Sequence, residues 1–191
     1  AGLARAPLAA ARRGAGVAPE QLLAGARVAP LTSSVGRLFD ALAGLLGLSS
    51  RNAFEADAAL RVEAAAERHH GPREPWPIAL SAGVPSQFEH RPWLDALAAD
   101  LERGASIEQC AARFHATLVE ALLSVGTHPT LLLSGGCFAN RLLLDLALER
   151  AEQQGRHALP ALRIPSNDGG IAVGQLVAAA RRAPPTTPSK R

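Results

Sequence analysis

The sequence predicts an α/β chain that is predominantly helical, and three observations lead there. Several long stretches space their apolar residues at i, i+3 and i+4. Two short apolar runs, near 130–134 and 161–165, read as strands. Each run ends in a turn with paired glycines that opens a further helix, so a strand–turn–helix unit occurs twice. With 191 residues, 48% of them apolar, the chain can bury a core of ordinary size.

Taken in order, residues 1–29 form a lead-in rich in Ala, Arg and Gly, with a short helix expected at 19–28 behind Pro19. The domain proper is expected over residues 30–182. Thr32, Ser33 and Ser34 offer hydroxyl caps to a helix with Val35, Leu38, Leu42, Leu45 and Leu46 on one face, ending at Gly47. A second helix is expected from about Phe54 to Arg68, capped by Asn52 and stopped by His69-His70-Gly71-Pro72. Pro72, Pro75 and Pro77 exclude a long helix in the next stretch, where Ile78-Ala79-Leu80 suits a short strand. Pro92 opens a helix that Gly104 ends. Ser106 and Gln109 have the spacing of a capping box, and behind them Cys110, Phe114, Leu118 and Leu122 share one face of a helix expected to be central and buried.

The two strand–turn–helix units close the domain. Thr130 to Leu133 runs into Ser134-Gly135-Gly136 and a helix to about Gln154, which Gly155 ends. Leu162-Arg163-Ile164-Pro165 is expected as the second strand, followed by Asn167-Asp168-Gly169-Gly170 and a helix to about Arg182. Residues 183–191, with three prolines and nothing to pack, are expected to be a disordered tail.

Composition narrows the function classes. The net charge of +3 hints at nucleic acid, but the arginines are scattered, aromatic residues are 4% and tyrosine is absent, which argues against a nucleic-acid binder. No run approaches the roughly 18 apolar residues of a membrane span and no signal peptide is visible, so a cytoplasmic location is expected. Cys110 and Cys137 lack CxxC spacing and read as reduced thiols. The absence of methionine and the Ala-Gly-Leu-Ala opening lead to the expectation of a processed chain or a piece of a longer one.

The chemistry is expected at the turns. A strand running into Ser134-Gly135-Gly136 and then a helix presents backbone N–H groups with no Cβ in the way, a natural seat for phosphate. A purely structural glycine turn fits the same pattern. Asp168 places a carboxylate at the end of the second unit, where open α/β sheets bind ligands and where it could hold a divalent metal. An ordinary helix N-cap is the equal alternative. Asn140 lies in the first turns of the helix after the glycine pair and could reach the same ligand, although a surface asparagine is the default. Gly36 and Asp40, four apart, share a helix face, and a bare glycine beside a carboxylate suits a ribose diol; close helix packing at Gly36 is the other reading. His69, His70 and His115 lack ligand spacing, and no base accompanies Cys137, so neither a histidine metal site nor a thiol nucleophile is assigned.

Three separated segments agree with one family. Pro30-Leu31-Thr32-Ser33-Ser34-Val35-Gly36-Arg37-Leu38-Phe39-Asp40, Ser134-Gly135-Gly136-Cys137-Phe138-Ala139-Asn140-Arg141-Leu142-Leu143 and Asp168-Gly169-Gly170-Ile171-Ala172-Val173-Gly174-Gln175 resemble, in that order, the C-terminal lobe of the HypF carbamoyltransferases of nickel-iron hydrogenase maturation. The resemblance runs from about residue 20 to residue 182. It implies a partial lobe of the ASKHA (actin-like ATPase) fold, similar to the threonylcarbamoyladenosine synthases.

It also implies an activity: ATP and carbamoyl phosphate, used through the full-length protein, yield a carbamoyladenylate whose carbamoyl group passes to the C-terminal cysteine of a HypE-like acceptor. By position, Gly135, Gly136 and Asn140 would contact the nucleotide's phosphate region, Gly36 and Asp40 its ribose, and Asp168 a divalent metal. The family's histidine pair for that metal and its adenylate-forming domain would stand upstream of Ala1. One departure lies inside the lobe, where Phe54-Glu55-Ala56-Asp57 replaces the family's usual Tyr-Glu-Gly-Gln. Two other functions fit less of the pattern: an O-carbamoyl or threonylcarbamoyl transferase lobe, and a truncated, non-catalytic relic that binds a nucleotide or a partner.

Overall fold

The computed structural model describes residues 32–182, apart from Val84, Thr127 and Leu162. The helix expected at 19–28 and the tail at 183–191 lie outside the described residues. Six α-helices and a parallel two-stranded sheet are described: α1 (Val35–Leu45), α2 (Asp57–Glu67), α3 (Arg91–Glu102), α4 (Ile107–Ser124), β1 (Thr130–Leu133), α5 (Arg141–Gln153), β2 (His157–Pro160) and α6 (Ile171–Arg182). None of these helices is long and apolar enough to cross a membrane.

The expected central helix is α4, with eleven buried residues. Its cap forms as the sequence predicts, the Ser106 hydroxyl accepting from the Gln109 N–H at 3.1 Å. Ala111, Ala112 and Ala116 are buried along it, as Ala65 and Ala66 are along α2. Small side chains let helices in contact approach closely, while Phe114 meets Phe39 of α1 edge to face at 5.1 Å between ring centres. Leu42, Val62, Trp76, Trp93 and Leu97 complete one continuous core with Phe114. Each such side chain contributes about 1.5–3 kcal/mol by leaving water.

The proline-rich stretch before α3 is irregular, and the strand expected at Ile78-Ala79-Leu80 amounts to one antiparallel bridge between Leu80 and Phe88. Trp76 anchors the stretch. Its indole N–H donates to Asp100 at 2.7 Å and its backbone N–H to the Thr117 hydroxyl at 2.8 Å. Asp100 is buried yet paired with both Arg103 and Arg113, and the Arg113 guanidinium lies over the Trp76 ring. A buried carboxylate is tolerated only with partners of this kind.

Helix α2 begins three residues later than the sequence suggests, and the cause is Ala56. With φ 64° and ψ 12°, it is the one non-glycine among the described residues in the left-handed region, where glycine is the residue without strain. An L-side chain there costs about 1–2 kcal/mol. The surrounding bonds hold it in place: Asp57 accepts from the Ala53 N–H and from Arg61, and Asn52, the expected cap, accepts from the Ala58 N–H at 2.9 Å.

The second strand is four residues earlier than expected. It occupies 157–160, not 161–165, and pairs in register from Thr130 with His157 to Leu133 with Pro160. Register is set before β2 begins: Gly155 turns the chain at φ 68°, Arg156 donates to the carbonyls of Leu123 and His128, and the His157 N–H reaches Pro129 O at 2.7 Å. Ile164, apolar in the expected strand, is instead 45% exposed in the following loop.

Candidate functional site

Parallel pairing brings both strands to an end on the same side of the sheet, so the turn after β1 and the loop after β2 leave it together. They touch. The Gly135 N–H donates to Ser166 O at 2.9 Å, and a Cβ on Gly136 would sit 3.9 Å from the Cβ of Asn167. Gly135, at φ 105° and ψ 157°, holds a conformation open essentially to glycine alone. The chain then makes a short 3-10 turn, Gly136–Ala139, before α5. On the other side, Asn167 caps a 3-10 turn, Asp168–Gly170, by accepting from the Gly169 N–H at 3.0 Å. Any Cβ on Gly170 would collide with the Pro165 carbonyl, so the second glycine pair is there for a close backbone approach.

Asp168 is exposed, and its carboxylate has no hydrogen-bond or ion-pair partner among the described residues. The cap is its neighbour Asn167, which removes the alternative reading of Asp168 as the N-cap. The third segment comes near through Cys137: the Gly36 N–H, in the first turn of α1, is close enough to lower the thiol's pKa, although no hydrogen bond joins them. Gly36 is not a close-packing site: a Cβ there would meet only the Ser34 hydroxyl, at 3.4 Å. One turn on, Asp40 is engaged by Arg37 at 2.9 Å and by the Asn52 amide at 3.1 Å. The structure therefore brings Gly36, Gly135 and Gly136 together with the loop that carries Asp168, and sets Asp40 a helical turn behind Gly36.

Asn140 differs from the surface default. It is the N-cap of α5, 9% exposed, with its Oδ1 accepting from the Leu143 N–H at 2.7 Å and its amide nitrogen 3.0 Å from Nε2 of His115. Glu63 of α2 accepts from the N–H groups of Arg141 at 2.7 Å and Leu142 at 3.3 Å. The first three amides of α5 are thus satisfied by side chains. The anion seat expected at that helix N-terminus is filled by the protein's own carboxylate. What remains at the turn are the N–H groups of Gly136, an exposed residue, and of Cys137, neither with an oxygen acceptor among the described residues. Glu63 and His115 were not visible as site neighbours in the sequence, because their partners lie 78 and 25 residues away.

These groups suit an anion held by backbone N–H and balanced by a cation, not thiol chemistry. Burial raises the Cys137 thiol pKa, and the N–H groups of Cys137 and Gly36 offset this only in part. Among the described residues no three His, Cys, Asp or Glu side chains cluster for a metal.

Comparison with known proteins decides the family. Residues 5–175 match the family described as "Carbamoyltransferase, Kae1-like Domain, second subdomain". The chain belongs to that family. It is 37% identical over 188 residues to "Carbamoyltransferase HypF2" of Cupriavidus necator, covering 82% of this chain and 23% of the relative. Against "Carbamoyltransferase HypF" of Rhodobacter capsulatus it is 39% identical over 170 residues, covering 84% of this chain and 21% of the relative. The fold matches a full-length HypF crystallised in a phosphate- and nucleotide-bound form with a TM-score of 0.70 and 29% identity, covering 78% of this chain and 24% of the other. The chain thus spans less than a quarter of these HypF proteins. Its partial α/β lobe is the fold that the HypF resemblance predicts.

Proposed function

We propose that this chain is the C-terminal part of an ATP-dependent carbamoyltransferase that uses a carbamoyladenylate to carbamoylate the C-terminal cysteine of a HypE-like protein in nickel-iron hydrogenase maturation. The carrying observation is the meeting of three segments at one edge of the sheet: Gly135 bonded to Ser166, Gly136 facing Asn167, and Cys137 near Gly36. Family membership supports the transferase class, and a nucleotide-bound relative of the same fold supports the ligand class.

In this reading the Gly136 N–H binds a phosphate oxygen of ATP or of the adenylate. Glycines at 135 and 136 keep the approach clear of side chains. Gly36 and Asp40 face the ribose, and Asp168 contributes one carboxylate to a divalent metal that neutralises phosphate charge when bound. In the transfer, the acceptor thiol gives up its proton to solvent, its sulfur forms a bond to the carbamoyl carbon as the bond from that carbon to the adenylate phosphate oxygen breaks, and AMP leaves with the electron pair. The chain's contribution is to hold the phosphate and orient the leaving group. The setting is cytoplasmic.

Calorimetry of the 191-residue chain with a non-hydrolysable ATP analogue and magnesium tests this. Binding is expected, with Asp168→Ala weakening it mainly through its magnesium dependence and Gly136→Val abolishing it. Absence of binding to the folded chain, together with absence of binding when the upstream HypF domains are supplied in trans, would leave the non-catalytic reading in its place.

A further inference from the structure

We propose that His115 is a positioning residue for the nucleotide turn: from the buried face of α4 it dictates which way round the Asn140 amide stands, and so fixes the start of α5. The argument is a chain of forced choices. Nδ1 of His115 lies 2.8 Å from the Ala111 carbonyl oxygen, which can only accept, so Nδ1 carries a proton. The ring is fully buried and neutral, its pKa lowered to about 4 by burial, with the Arg73 guanidinium acting in the same direction. A neutral ring protonated at Nδ1 has a bare Nε2. At 3.0 Å from Asn140, Nε2 must therefore accept, so Asn140 turns its NH2 inward. The oxygen is then left for the Leu143 N–H at 2.7 Å.

Four groups thus share one direction of donation: Leu143 N–H to Asn140 Oδ1, Asn140 Nδ2–H to His115 Nε2, and His115 Nδ1–H to Ala111 O. Reversing the amide would set its oxygen against the imidazole lone pair and its NH2 against the Leu143 N–H. Both contacts would repel. Phe39 and Phe114 pack edge-on against the ring, so rotation of the imidazole offers no escape. Asn140 follows the 3-10 turn that begins at Gly136, and its own N–H bonds back to Cys137 O at 3.1 Å. The relay therefore reaches from the helical core into the turn.

The orientation of Asn140 follows from the core alone; its effect on ligand binding rests on the nucleotide reading above. The test separates the two. Long-range 1H–15N NMR of the unliganded chain at pH 7 is expected to show His115 protonated at Nδ1 and bare at Nε2, with one Asn140 Nδ2 proton shifted by an imidazole acceptor. Protonation at Nε2 would overturn the proposal whether or not any variant folds. In calorimetry with a non-hydrolysable ATP analogue, His115→Leu is expected to bind about threefold to tenfold more weakly. His115→Gln, which returns an acceptor near Nε2, is expected to recover binding to within about twofold of the parent. A folded His115→Leu with parental affinity would also overturn it. A parent chain that binds no nucleotide while showing the expected tautomer would refute the nucleotide reading and leave the positioning of Asn140 standing.

Discussion

The two strand–turn–helix units share a pattern and differ in what the core makes of it. After β1, the cap Asn140 is buried, bonded to a core histidine, and followed by a helix whose Leu143, Leu146, Ala147 and Ala151 are buried. After β2, the cap Asn167 is exposed and bonded to its own turn, and α6 buries nothing, leaving Leu176 70% exposed. The same local grammar therefore serves two ends. In the first unit capping is part of the folding core; in the second it shapes a loop and leaves the Asp168 carboxylate exposed, without a partner among the described residues.

The sharpest way to break that contrast is to hollow out both helices. Leu146→Ala should cost about 2–5 kcal/mol in urea unfolding, whereas Leu176→Ala should stay within about 0.5 kcal/mol. Equal losses would mean that α6 is packed in solution and that the asymmetry is false. Acid should bear on the first unit through His115, which holds its cap Asn140. His115 binds its proton near pH 4 when folded and near 6.5 when unfolded, so between those values the unfolded chain holds more protons and stability falls as the pH falls. The loss should begin below about pH 6.5, be complete below about 4, and amount to on the order of 3 kcal/mol. Urea midpoints from pH 7 to 4 check this, and His115→Gln should flatten the slope.

Smaller effects sharpen the comparison of caps. Asn140→Ala removes a cap and leaves the Nε2 acceptor of His115 unpaired, for about 2 kcal/mol, while Asn167→Ala should cost under about 1 kcal/mol. Smallest is a gain: Ala56→Gly relieves the left-handed alanine at the start of α2 and should stabilise the chain by roughly 0.5–1 kcal/mol in the same assay. No change there would mean that the residue has left the left-handed region in solution.

Much of this architecture could be read without coordinates because it depends on neighbours in sequence. The α4 cap, the apolar stripe of α4, the stop at Gly104 and the short strand before Ser134 are all local. The second strand was misplaced because register, not apolarity, chose it: Arg156 and the His157 N–H dock onto Leu123, His128 and Pro129 before any side-chain pattern can decide. At the site, the three segments could be found from their residue types, and Gly135 and Gly170 are explained by backbone geometry and close approach. Which amides were free could not. Glu63 and Asn140 consume the α5 N-terminus through contacts that no spacing rule reports.

The parallel pairing of β1 with β2 also orders the events of folding. Thr130 meets His157 only across the intervening α5, so this pairing closes a loop, although a shorter one than the 78 residues between Glu63 and Arg141. We expect the pairing to form after the rate-limiting step, with a φ-value near zero for β2 residues. Weakening β2 should therefore hasten unfolding and leave the refolding rate nearly untouched, making the ligand-side loop the last piece to assemble and the first to open.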